Sequence, residues 1–247
     1  MPLIKVLSNI RNIYKVNLLT SKKYLTNNWF TVSTVVITGL NRPNDLKHLM
    51  TMMDEDIESM TDLPTYEKKL QFKAKIISKQ RDTIFKGQIA YGIPKAINAL
   101  GTLYDLTPIE VRDILPTSPI RPTQIWQKMI EQRRRGRELF DKIYHPNPDK
   151  VMNELNLLYP DLHQLCYDYG YGYILSEPSV ISDKETSLIL LTGCLSQQVI
   201  PQLNGHIRGA LHNGVSHEEL EQVYDATLSL FEHYQIPPPE RPITPNV

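Results

Sequence analysis

Apolar residues recur at helical spacing along most of the chain, and the clearest pattern lies between Ser182 and Phe231. Ser182 and Glu185 are spaced as a capping box, and Ser216 and Glu219 repeat the spacing. In each box the hydroxyl is placed to accept from an orphan backbone N–H while the carboxylate reaches back to the cap. From Leu188 to Leu195 the positions are apolar on nearly every side, which predicts a buried helix. The next stripe, Leu203, Ile207, Ala210 and Leu211, stops at Asn213-Gly214, residues that tolerate a left-handed helix end. A third, Leu220, Val223, Thr227, Leu228 and Phe231, ends before Pro237-Pro238-Pro239. No strand pattern competes, and the fold class expected is all-α.

At the start of the chain Leu3, Val6, Leu7, Ile10 and Ile13 also recur at helical spacing. Residues 1–44 carry Lys5, Arg11, Lys15, Lys22, Lys23 and Arg42 but no Asp or Glu. Residues 1–28 therefore have two readings, a first core helix or a mitochondrial presequence. The mitochondrion is the expected compartment, with the cytoplasm or the peroxisome as alternatives. Pro245-Asn246-Val247 is not a peroxisomal tripeptide of the Ser-Lys-Leu kind.

Composition narrows the classes. With 247 residues and 41% hydrophobic content the chain can bury a sizeable core. A formal net charge of zero removes the electrostatic case for a general nucleic-acid partner. No run approaches the ~20 apolar residues of a membrane span. Cys166 and Cys194 are too few for a disulfide framework and fit a reducing compartment.

Two echoes suggest an internal duplication. Tyr91-Gly92-Ile93-Pro94 matches Tyr234-Gln235-Ile236-Pro237, and Val35 to Leu40 resembles Leu188 to Leu195. Between them Leu106 to Gln124, with Pro108, Pro116, Pro119 and Pro122, reads as a linker. The stretch from Ser182 to Leu228 carries the run Thr186-Ser187-Leu188-Ile189, then His206 to Val215, then Ser216-His217-Glu218-Glu219-Leu220. It resembles the core of the carboxymuconolactone decarboxylase family, an all-helical family related to alkylhydroperoxidase D. The resemblance implies two tandem alkylhydroperoxidase D-like helical bundle units, a degenerate one over 29–104 and a second over 133–236. A linker over 105–132 joins them, and 237–247 forms a Pro-rich tail. It also implies a homo-oligomer and a small lactone or organic acid as substrate.

His206 matches the histidine that family members place at their pocket, and a neutral imidazole can move a proton near neutral pH. The resemblance makes His206 the acid–base residue, with Ser187 as a helper and Arg208, His212 and Asn213 as substrate-binding candidates. Each has a structural reading beside the functional one. His206 falls at the edge of an apolar stripe, Asn213 precedes the Gly214 turn, and His212 stands where it caps the helix end. Arg208 projects about 160° from His206 on a regular helix, toward solvent or a subunit contact. The thiol-peroxidase relatives use a C-x-x-C pair and an upstream glutamate. Here those positions hold Val199, Gln202 and Ser187, so peroxidase chemistry is not expected. His206, His212 and His217 lie on different faces, so neither a metal nor any other cofactor is expected. The basic run Gln132 to Arg137 reads as a solvated helix start. The expected activity is a decarboxylase-like lyase, and the rival is a non-catalytic scaffold or assembly protein that retains the helical fold.

Overall fold

Two helices, α3 (Trp29–Gly39) and α11 (Asp183–Ser196), are buried along nearly their whole length and pack against each other. Neither has a polar face to keep in water, so both must be enclosed. A long helix, α5 (Tyr66–Tyr91), lies against both. The computed structural model describes residues 1–16, 20–239 and 241, and among these there is no β-strand. The chain is all-α.

The remaining elements surround this centre. The first half adds α1 (Leu3–Ile13), α2 (Ser21–Thr26), α4 (Leu46–Ser59), α6 (Ile93–Leu106) and the short α7 (Ile109–Arg112). The second adds α8 (Trp126–Ile143), α9 (Pro148–Leu158), α10 (Pro160–Gln164), α12 (Ile200–His212) and α13 (His217–His233). One buried apolar cluster runs from Leu3 to Phe231 and crosses both halves. A smaller one gathers Leu139, Phe140, Ile143, Tyr171, Leu175 and Leu190 around α8.

Leu3, Val6, Leu7 and Ile10 of α1 are buried against α13 and α4, and Arg11 pairs with Asp56. Residues 3–13 thus form a helix whose apolar face joins the core. Residues 17–19 of the N-terminal segment and the tripeptide Pro245-Asn246-Val247 lie outside the described residues.

Both capping boxes form, with Glu185 N–H donating to Ser182 Oγ and Glu219 N–H to Ser216 Oγ. The helix ends share a second device. In α1, α3, α11, α12 and α13 the chain stops with a residue at positive φ, respectively Lys15, Asn41, Gln198, Gly214 and Gln235. Around Asn41, its N–H donates to Thr38 O and that of Arg42 to Ile37 O; around Gln198, the matching bonds reach Leu195 O and Cys194 O. This is a Schellman end, in which orphan carbonyls are satisfied by the turn itself. The echo between Val35–Leu40 and Leu188–Leu195 is thus an echo of helix endings as well as of apolar content.

The linker expected over 105–132 is shorter in the structure. Helix α6 runs to Leu106, α7 follows, and α8 begins at Trp126, so only the 113–125 segment is irregular. The basic run is solvated at Arg133 and Arg134, as expected, but it is not a helix start. It lies within α8, where Gln132 is buried and four arginines are paired: Arg133 with Asp168, Arg134 with Glu131 and Glu138, Arg135 with Glu177, Arg137 with Asp141 and Asp149.

Leu165–Leu175 forms a π-helix. Its wider turn lets Gly172 lie against Gly136 of α8, where any side chain would hold the backbones apart.

Candidate functional site

Helix α12 runs along the end of α8, and this contact determines what His206 can do. The His206 ring stands 6.2 Å, centroid to centroid, from the Tyr144 ring. Tyr144 in turn accepts a hydrogen bond from the Tyr171 hydroxyl at 3.0 Å. His206 is half-buried, and burial pushes its pKa down to about 4, so the imidazole is neutral at physiological pH. Among the described residues it has no hydrogen-bond partner.

Ser187 and Asn213 are brought together, but as an internal tie. Asn213 Nδ2 donates to Ser187 Oγ at 2.8 Å, and Ser187 Oγ donates to Asp183 O at 3.1 Å. Both side chains are buried, which anchors the end of α12 to α11, and Asn213 Oδ1 remains without a partner. The His212 ring packs edge-on against His145 at 5.5 Å, and its buried Nδ1 has no partner. Arg208 is exposed and has no ion-pair partner among the described residues. Six residues of helix place His206 and His212 about 9 Å apart along the axis. The predicted site residues therefore divide into a Ser187–Asn213 tie, a His206–Tyr144 contact and an outward Arg208.

The thiols offer no nucleophile near neutral pH. Burial raises the pKa of Cys194 to about 12 and that of Cys166 above its ordinary value, which keeps both protonated. Among the described residues no group of three or more His, Cys, Asp and Glu side chains is placed to hold a metal ion.

Two cavities stand out, and neither is lined by His206, Ser187, Arg208, His212 or Asn213. One, of about 20 Å³, lies among Leu191, Leu203, Ile207 and Val223 and has room for a water molecule at most. The other is a cleft of about 900 Å³ between α5, α6 and the 113–125 segment. Its walls are mainly apolar, with Ile77, Phe85, Ile97, Leu100, Leu115 and Ile120 among them. Its charged residues are Arg81, Asp82, Arg112 and Arg121.

Asp82 and Arg121 form a buried ion pair at 2.7 Å, and Arg121 Nε also donates to Ile174 O at 3.2 Å. Arg121 lies over the Phe85 ring at 4.8 Å. Asp82 Oδ2 and Arg121 Nη2 are buried without partners. One turn along α5, Lys86 is fully buried and donates to Glu177 O at 2.8 Å, Ile181 O at 3.2 Å and Thr186 Oγ1 at 2.7 Å. Burial lowers its pKa to about 8, but all three donors are used, which makes it a tie between α5 and α11. No local pattern marks Asp82 or Arg121 in the sequence. Arg121 sits between prolines in a segment read as a linker, and its partner lies 39 positions earlier.

No family model matches the chain, and no solved structure matches it significantly. Curated proteins do. A Saccharomyces cerevisiae protein named "Peroxisomal protein 2" is 28% identical over 242 residues, covering 81% of this chain and 86% of the relative. A Schizosaccharomyces pombe protein of the same name is 26% identical over 201 residues, covering 81% and 84%.

Proposed function

We propose that the chain is a non-catalytic helical assembly protein of the peroxisome. In this reading it keeps two tandem units of a carboxymuconolactone decarboxylase-like fold and not their chemistry. The observation that carries it is the dispersal of the expected catalytic residues: Asn213 Nδ2 is bonded to Ser187 Oγ inside the core, and His206 lines neither cavity. The peroxisome replaces the mitochondrion because both relatives are named peroxisomal proteins.

Assembly is supported by an apolar ridge on α6. Ile93, Ile97 and Tyr104 fall within about 40° of one another on a helix of 3.6 residues per turn. Each is at least 61% exposed. Such a ridge on an otherwise satisfied helix is a surface for a second subunit. Light scattering after gel filtration tests this. The wild type is expected to elute as an oligomer at tens of micromolar, and Ile93→Glu as a monomer. A monomeric wild type overturns the assembly reading. A fluorescent fusion that fails to coincide with a peroxisomal marker overturns the compartment.

The enzyme reading rests on one feature, a half-accessible neutral imidazole at His206, with Ser187 as helper and Arg208, His212 and Asn213 around the substrate. Carbon dioxide released from a carboxylated lactone by the wild type and not by His206→Gln would establish it and displace the scaffold.

A further inference from the structure

The cleft between α5, α6 and the 113–125 segment has the features of a ligand site, and it shares Ile97 and Tyr104 with the apolar ridge of α6. Its volume of about 900 Å³ is in the range of small-molecule sites, which are typically ~300–1,000 Å³. Apolar side chains form most of its wall, and the polar groups are few.

Charge selects the ligand class. Three arginines and one aspartate line the cleft, and Arg121 neutralises Asp82. Arg81 and Arg112 remain, and neither has a carboxylate partner among the described residues. Arg112 donates only to the carbonyls of Thr107, at 2.7 Å, and Asp105, at 3.2 Å, and lies over the Tyr104 ring. The Arg121 Nη2 donor is a further unmet group, in a side chain only 6% exposed. Asp82 Oδ2 is unmet as well, so this pair adds no net charge to the cleft. Two uncompensated cations beside an apolar wall are complementary to an anion with an apolar body. A cation would be repelled, and a small polyanion would leave the apolar wall unused.

We infer that this cleft binds an aliphatic monocarboxylate, its carboxylate held by Arg81 and Arg112 and its chain lying along Ile97, Leu100 and Phe85. The buried Asp82–Arg121 pair positions the segment that closes one side. Gly101 of α6 lines the cleft at an exposed position, where a Cβ would meet nothing within 4 Å. A leucine there is expected to narrow the cleft without displacing a neighbour.

Gly101 provides the test. Sodium octanoate, octan-1-ol and sodium acetate are titrated by calorimetry into the wild type, Gly101→Leu and the double variant Arg81→Gln/Arg112→Gln. Octanoate is expected to bind the wild type and acetate is not. Gly101→Leu is expected to lose affinity at least about tenfold while melting no lower than the wild type, because leucine is the better helix former. The double variant is expected to lose roughly tenfold or more for octanoate, the scale of a charge-assisted hydrogen bond, and to keep its affinity for octan-1-ol. No binding of octanoate at millimolar concentration overturns the site. So does binding that Gly101→Leu leaves intact. Octan-1-ol binding as tightly as octanoate overturns the carboxylate. Ile93 does not line the cleft, so Ile93→Glu separates assembly from ligand binding: it is expected to dissociate the oligomer and still bind octanoate.

Discussion

Gly136 and Gly172 meet at the crossing of α8 and the π-helix, so closely that a Cβ on Gly136 would stand 2.5 Å from the Gly172 Cα. The obstacle is backbone, which cannot rotate aside as a side chain can. Two helix propensities therefore oppose tertiary packing in a measurable way. Gly136→Ala gains up to about 1 kcal/mol of helix propensity. It is expected to lose more than that through overpacking, which typically costs about 1–3 kcal/mol before the gain is counted. Gly101→Ala has the same propensity gain with open space around the new methyl, and is expected to be stabilised by about 0.5–1 kcal/mol. Urea denaturation of the two variants compares them directly. Equal effects of the same sign would mean that the glycine crossing does not hold these helices at this distance.

The Asp82–Arg121 pair is expected to behave as a buried ion pair. The two side chains are 5% and 6% exposed, and they tie α5 to a segment with no regular structure. Arg121→Ala leaves Asp82 buried without its counter-charge and is expected to cost about 3–5 kcal/mol. Removing both charges in Asp82→Leu/Arg121→Leu is expected to recover a large part of that loss, because neither buried charge then remains uncompensated. A double-mutant cycle in urea measures the coupling. Additive losses would show that the two groups do not depend on each other.

His206 makes stability sensitive to acid. Burial lowers its folded pKa to about 4 from the usual 6.5, so the folded state disfavours the protonated ring. Above about pH 6.5 both folded and unfolded chains carry it neutral, and its contribution to stability is fully present. As the pH falls toward 4 the unfolded chain takes up the proton first, and stability declines across that window. Below about pH 4 this residue adds no further slope. Urea midpoints between pH 7.5 and 4 are expected to fall less steeply for His206→Gln than for the wild type. Parallel curves would mean that His206 titrates normally and stands freely in water.

Much of the fold was legible from short-range pattern. The capping boxes at Ser182 and Ser216, the end of α12 at Asn213-Gly214, and the stripe of Leu3, Val6, Leu7 and Ile10 depend on residues within a few positions of one another. Local hydrogen bonding and helical periodicity act at that range, so the sequence by itself determined an all-α chain and most helix ends from α11 onward. The candidate site depended on more than local pattern. The Ser187–Asn213 proximity follows from neighbouring helices, but whether it forms a site or a tie depends on which groups remain unsatisfied after packing. Tertiary structure alone decided the rest. Lys79 of α5 is buried because Glu185, 106 positions away, meets it at 2.5 Å, and Lys86 because the 177–186 segment supplies three oxygens. In the sequence these lysines look like the solvated face of a helix. Burying a charge is tolerable only when a distant part of the chain provides its partner, and no local pattern records that. The same reason hid the cleft, whose walls come from α5, α6 and a proline-rich segment that become neighbours only when the chain has folded.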